Sequence, residues 1–199
     1  MKDFVTNRAE IALEELHEHE KGPAQDRQCR QCKRTPDTWY RCCDCIVPPV
    51  LCKSCLIETH GHSPFHFVQE WQTTRRFWLR KPLTDLDVVM NLGHEGQGCY
   101  SNSTEPRLMR IVSEGGIHEI KMFFCHCRDK TGAMVPDATQ LLRVGFWPAS
   151  WDTPQTAFTI QVLDTFSLLS NQAHLSAYDY FESLRRKTDF VRPAEANVS

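Results

Sequence analysis

No stretch of this sequence approaches the run of about eighteen apolar residues that a membrane-crossing helix needs, and the acidic first twenty residues lack the basic start and apolar core of a secretory signal. An excess of one charge is missing too: 23 Lys and Arg stand against 25 Asp and Glu, so the whole chain has no strong pull toward a polyanion. There is no His-Glu-x-x-His pair of the kind that opens a hydrolytic zinc site. The acidic residues are scattered along the N-terminus, loops and helix faces, without a set suited to holding catalytic ions. These absences predict an intracellular protein that is neither an enzyme nor a membrane protein and has no small-molecule substrate. What remains, 41% hydrophobic and 24% charged residues, is ordinary globular composition.

Large apolar side chains are also scarce between residues 29 and 66, a segment that instead holds seven of the ten cysteines and three of the nine histidines. So short a segment cannot bury enough surface to offset its chain entropy, and it needs a staple. In a reducing compartment that staple is a bound metal rather than a disulfide. The sequence divides into an acidic amphipathic helix over 1–25, a two-zinc cluster over 26–70, an α+β module over 71–190 and a frayed tail over 191–199. The helix, from about Phe4 to Lys21, carries Val5, Ala9, Ala12, Leu13 and Leu16 at helical spacing and is closed by Gly22-Pro23. In the third segment, Pro106–Ser113 and Ile117–Phe124 read as a β-hairpin turning at Glu114-Gly115-Gly116. Thr153-Pro154 reads as the start of a helix over 154–170, and Ser176 with Asp179 as the cap of a last helix through Arg186. The expected class is α+β: a small cross-braced two-zinc module, then an α+β module with a hairpin and C-terminal helices.

The ligands follow from spacing. Cys29 and Cys32, Cys42 and Cys45, and Cys52 and Cys55 are three Cys-x2-Cys pairs, and His60 with His66 makes a fourth half-site. Joining the first pair to the third and the second to the fourth gives Cys29, Cys32, Cys52 and Cys55 on one ion and Cys42, Cys45, His60 and His66 on the other. A sequential pairing is the alternative. His62 is the alternate to His60, and Cys43 reads as a spare buried thiol. Histidines that all follow the last cysteine resemble B-box and ZZ-type modules more than a RING ligase. A third zinc site is expected from His94, Cys99, Cys125 and Cys127. A straight strand from Ile117 would hold His118 about 23 Å from Cys125, at about 3.3 Å per residue.

Charge is unevenly spread: residues 27–81 hold ten bases against four acids. Arg27, Arg30, Lys33, Arg34 and Arg41 flank the knuckles and are candidate contacts to a phosphate backbone.

The residues Arg41-Cys-Cys-Asp-Cys45, Leu51-Cys-Lys-Ser-Cys55, His60 to His66, Leu92-Gly-His-Glu-Gly96 with Cys99, Gly116-Ile-His118, Phe124-Cys-His-Cys127, Gln140-Leu-Leu-Arg143, Phe146-Trp-Pro-Ala149 and Pro154 to Thr159 resemble the cysteine-cluster region beside fungal KDZ (Kyakuja-Dileera-Zisupton) transposases. The resemblance covers about residues 29 to 190. It implies a nuclear, zinc-binding, transposase-associated protein that recognises DNA or chromatin, and it restores His118 as an alternate ligand. No catalytic transposase domain is read from these residues, so a relative without transposase activity is expected. The alternative is a B-box-like interaction module that docks a transposase or self-associates.

Overall fold

The computed structural model describes residues 7–24, 26–99, 105–128 and 132–189. The chain is α+β, with two β-sheets and five α-helices among the described residues. It divides into two compact units: Met1–His60 with His66–Lys81, and Gly61–Phe65 with Pro82–Ser199. Phe4 and Val5 of the expected first helix, and the expected tail, lie outside the described residues.

In the first unit, helix α1 (Ala9–Glu20) is built from the good helix formers Ala, Leu and Glu and stops just before Lys21-Gly22-Pro23. It buries none of its residues. A three-stranded antiparallel sheet follows in the order β1 (Tyr40–Cys42), β2 (Val68–Gln72), β3 (Phe77–Lys81). Residues 71–81, expected to open the second module, belong instead with this unit, because β2 pairs with β1 on one side and β3 on the other. Helix α2 (Lys53–His60) buries Cys55, Leu56 and His60. The apolar core is small: Trp39, Tyr40, Leu51, Leu56, Phe67, Val68 and Trp78 are its large members.

One polar clamp ties α1 to the sheet. The Arg41 guanidinium is 6% exposed, donates to the Glu20 carboxylate at 2.9 and 3.0 Å, to the His19 carbonyl at 2.5 Å and to Gln69 Oε1 at 2.7 Å, and lies 4.5 Å from the Trp78 ring centroid. A cation at a helix C-terminus satisfies free carbonyls and opposes the helix dipole. Burial raises the Glu20 pKa, but hydrogen bonds from His19 and Arg41 outweigh it and hold the carboxyl below its ordinary value. Arg41 was expected to face phosphate; the structure corrects this, since every donor group of its guanidinium is already engaged inside the protein. Gly22 is required beside this clamp, because a Cβ there would sit 2.1 Å from the Trp71 ring.

The second unit is a five-stranded mixed sheet in the order β4 (Val89–Asn91), β6 (Gly116–Phe123), β5 (Arg107–Ser113), β8 (Thr156–Thr159), β7 (Phe146–Pro148). The hairpin of β5 and β6 forms where the sequence places it, with Gly116 at φ +136°. Alternation along the strands sends Met109, Ile111, Ile120 and Met122 to a cluster with Leu141 of α3 (Asp137–Arg143). Val112 and Ile117 instead join Val162 of α4 (Ile160–Ala173) and Leu184 of α5 (Ala177–Thr188). The sheet is therefore covered on both faces.

The helix expected over 154–170 is corrected. Residues Thr156–Thr159 are β8, parallel to β5 and antiparallel to β7, and only from Ile160 is the chain helical. A sheet slot that buries Ala157 and Thr159 overrides the helical reading of this segment. The cap is Thr159, whose Oγ1 accepts from the Val162 amide at 3.2 Å, and not the Thr153-Pro154 pair. Ser176 caps the last helix as expected, accepting from the Asp179 amide at 3.1 Å.

Gly116→Ala is expected to lower the stability of the second unit by about 1–3 kcal/mol, because it places a Cβ at unfavourable φ. That Cβ would also lie 2.6 Å from Thr188 Oγ1. Urea unfolding followed by circular dichroism measures this, and Thr159→Ala, which removes a helix cap, should cost about 1 kcal/mol in the same assay.

Candidate metal centres

Three groups of four side chains converge, and within each group the ligand atoms all lie within 4.8 Å of one another: Cys29, Cys32, Cys52, Cys55; Cys42, Cys45, His60, His66; and His94, Cys99, Cys125, Cys127. All ten cysteines are free thiols. Each group can hold a metal ion. A tetrahedral ion with metal–sulfur bonds of about 2.3 Å and metal–nitrogen bonds of about 2.0–2.1 Å requires S···S edges of about 3.8 Å and S···N edges of about 3.5 Å. The observed edges can be set against those values.

In the first group, Cys32 Sγ and Cys52 Sγ are 3.7 Å apart. The turn that carries Cys29 and Cys32 is closed by Lys33 N to Cys29 O and Cys29 N to Arg34 O, both 2.9 Å, with Lys33 at φ +60°. A two-residue bridge between Tyr40 and Leu51 delivers Cys52, and the first turn of α2 delivers Cys55. The Cys52 amide points at Cys29 Sγ, 3.4 Å away. The backbone N–H and guanidinium of Arg34 hold the Cys32 thiol well below its ordinary pKa.

In the second group, Cys42 Sγ to His66 Nδ1 is 3.4 Å, Cys45 Sγ to His60 Nε2 is 3.5 Å and Cys45 Sγ to His66 Nδ1 is 3.5 Å. The His60 ring reaches back one helical turn, its Nδ1 3.0 Å from the Leu56 carbonyl. Donating there fixes the tautomer and leaves the Nε2 lone pair for an ion. Burial lowers the His60 pKa, which keeps that nitrogen unprotonated at neutral pH. Asp44, between the two cysteines, accepts from the Phe67 amide at 2.6 Å and thereby pins the Cys42–Cys45 loop against the segment that carries His66. His62 is not in the group, and Cys43, expected to be buried, is exposed.

In the third group, Cys99 Sγ lies 3.8 Å from Cys125 Sγ and 3.5 Å from Cys127 Sγ, and His94 Nε2 lies 3.4 and 3.5 Å from the same two sulfurs. His94 and Glu95 sit at φ +51° and +57°, a tight turn that swings the imidazole toward the cysteines. Gly93 makes room for it, since a Cβ at 93 would lie 2.6 Å from the Cys125 Cβ. His118 is elsewhere in the unit: its Nε2 is 2.9 Å from Ser113 Oγ and its ring packs on Phe65, so it joins no group.

The sequence reading missed the side chains that hold these ligands in place. Gln140, 3% exposed on α3, accepts from the Cys125 amide at 2.7 Å and donates to the Cys125 carbonyl at 2.9 Å. An amide that brackets one residue in this way positions a ligand without touching the ion. Its only signal in the sequence is a polar residue on the apolar face of a short helix. Of the five proposed phosphate contacts, Arg27, Arg30, Lys33 and Arg34 are exposed, and Arg41 is not.

Each group should take up about one equivalent of metal, so Cys29→Ser, Cys42→Ser and Cys125→Ser should each remove about one of the three, counted by native mass spectrometry. Burial pushes the Cys42 thiol pKa up, so this thiol is protonated at neutral pH in the metal-free form and must release its proton on loading. Metal affinity should therefore fall as pH is lowered from 8 to 6, with proton release visible by calorimetry in two buffers. An affinity independent of pH would contradict thiolate ligation.

The family described as "CxC2 like cysteine cluster associated with KDZ transposases" matches residues 83–192, just over half of the chain. No curated protein and no solved structure matches. The matched segment begins after the first two ligand groups and contains the whole of the third. The chain belongs to the family of CxC2 like cysteine clusters associated with KDZ transposases.

Proposed function

We propose that the protein is a zinc-binding recognition module that contacts nucleic acid or chromatin in the nucleus, and that it is not a catalyst. The observation that carries the reading is a row of exposed cations, Arg27, Arg30, Lys33 and Arg34, on and beside the tight turn that presents Cys29 and Cys32. Such a turn fixes the spacing of its side chains, so they meet an anionic backbone with little loss of backbone entropy. Zinc is the ion favoured by donor sets made only of thiolate and imidazole at tetrahedral distances; calcium and magnesium take oxygen. With two ions bound, the first Cys pair joins the third and the second joins the two histidines. This is the cross-braced, B-box or ZZ-like arrangement, and it staples a unit whose apolar core is small. Four protein ligands on each ion leave no open position for substrate or activated water, which argues against hydrolysis and against a small-molecule substrate.

A second reading, docking to a transposase or to another copy of the chain, is favoured by α1. It exposes Ile11, Leu13 and Leu16 at 59%, 54% and 63% among acidic neighbours. Salt separates the two readings. Contacts to phosphate release counterions, so affinity for a mixed-sequence DNA duplex should fall roughly tenfold or more between 50 and 200 mM salt. Fluorescence anisotropy at both concentrations measures this, and absence of binding at the lower one would hand the function to the docking reading. Elemental analysis of protein isolated without added metal should find zinc at about three per chain.

A further inference from the structure

The first unit carries a second concentration of positive charge, at the tip of the β2–β3 hairpin. From Gln72 to Lys81 the sequence runs Gln-Thr-Thr-Arg-Arg-Phe-Trp-Leu-Arg-Lys, with four cations and no acid. Cations on an edge strand have an ordinary explanation, since charge blunts the unpaired edge against aggregation. That explanation fits Arg80 and Lys81, which lie on edge strand β3 and have structural work besides. Arg80 lies 3.5 Å from the Phe67 ring centroid, and Lys81 Nζ is 3.7 Å from Glu70 Oε2.

It does not fit Arg75 and Arg76. These lie in the turn beyond the last pair, Gln72 with Phe77, where no strand can add. Both are exposed. No side-chain hydrogen bond, ion pair or ring contact engages either of them among the described residues. Arg76 is also held in the left-handed region, at φ +57°, by a turn closed through its own amide to the Gln72 carbonyl at 2.7 Å. A hairpin loop of this length favours glycine or asparagine at that position, because a residue with a Cβ is strained there. Residues kept in such strain cluster at sites where the side chain has a task outside the fold. Thr73 and Thr74 add two exposed hydroxyls, and Phe77 is 40% exposed beside them.

We infer that the hairpin tip, Thr73 to Phe77, is a contact surface for the nucleic-acid backbone, in which Arg75 and Arg76 each neutralise a phosphate. This deepens the reading given under Proposed function and rests on it. A two-stranded ribbon has the width to enter the major groove of duplex DNA, which seats cations at its end between the two phosphate walls.

The test uses the full, metal-loaded chain and a 20-base-pair DNA duplex, with anisotropy titrations at several salt concentrations. For Arg75→Ala with Arg76→Ala, affinity should drop roughly tenfold at low salt. The slope of log affinity against log salt should become shallower by about 2, one for each lost phosphate contact. Arg76→Gly separates binding from folding: it relieves the strained φ, so its melting temperature should stay level or rise while its affinity falls. A double variant that binds with unchanged affinity and slope overturns the inference and leaves the nucleic-acid reading standing. Failure of the unaltered protein to bind at 50 mM salt removes both. A lower melting temperature for Arg76→Gly would show that the arginine serves the fold, and would also overturn the inference.

Discussion

Thiol sulfurs and imidazole nitrogens gathered within 4.8 Å of one another in groups of four are an unstable arrangement unless something positive lies among them. Thiolates at that separation repel strongly where water is partly excluded, and protonated thiols lose solvation without gaining good hydrogen bonds. The backbone nevertheless aims further N–H groups at these sulfurs: Cys52 N at Cys29, Asp44 N at Cys42 and Cys127 N at Cys125, each at 3.4 Å. Donors placed around sulfur stabilise the deprotonated form, the form that binds metal. These donors offset part of the cost of deprotonation, but burial still holds the pKa values of Cys42 and Cys125 above their ordinary values, so thiolate there calls for a shared cation as well.

The two units depend on that cation to different degrees. In the first, both ligand groups draw on α2 and on loops, with β1 supplying Cys42 to the second group, and the apolar core between these elements is slight. An ion bound there would link segments that have few other reasons to meet. In the second, a sheet with apolar clusters on both faces already fixes β4 and β6, and the third group sits on the segments that follow those strands. Gln140 extends this order outward, since a buried side chain on a packed helix clamps the backbone of Cys125. The third group is thus placed by a sheet with apolar clusters of its own, whereas the first two lie in a unit whose apolar core is slight.

This difference explains what could be read directly from the residues. Cys-x2-Cys spacing is a local geometric requirement, so the three cysteine pairs of the first two groups were legible from it, whereas the third group has no such pair and His94 was preferred there to His118 on the length of a strand. The β5–β6 hairpin was legible because its alternation and its turn chemistry agree. Thr156–Thr159 was not: helical spacing further on masked four residues whose strand state is imposed by β5, distant in sequence, together with the neighbouring β7. Arg41 was misread for a related reason. Its neighbours in sequence are cluster residues, but the partners that bury it, Glu20, Gln69 and Trp78, are contributed by other segments. Charge in a sequence marks a surface only when no distant carboxylate or ring claims it.

The distribution of charge also limits what family membership can explain. The matched segment, 83–192, holds 13 Asp and Glu against 10 Lys and Arg, a net of −3, whereas residues 27–81 hold four against ten, a net of +6. Two divalent ions on six thiolates and two imidazoles would change the second figure by about −2, since four positive charges would meet six negative ones. It remains positive. The acidic N-terminus offsets most of this, so the first unit as a whole holds 13 Lys and Arg against 11 Asp and Glu, and the positive excess is confined to residues 27–81. Within this chain, the family segment supplies a sheet with a candidate metal group of its own, and the excess of positive charge lies in the stretch that precedes it.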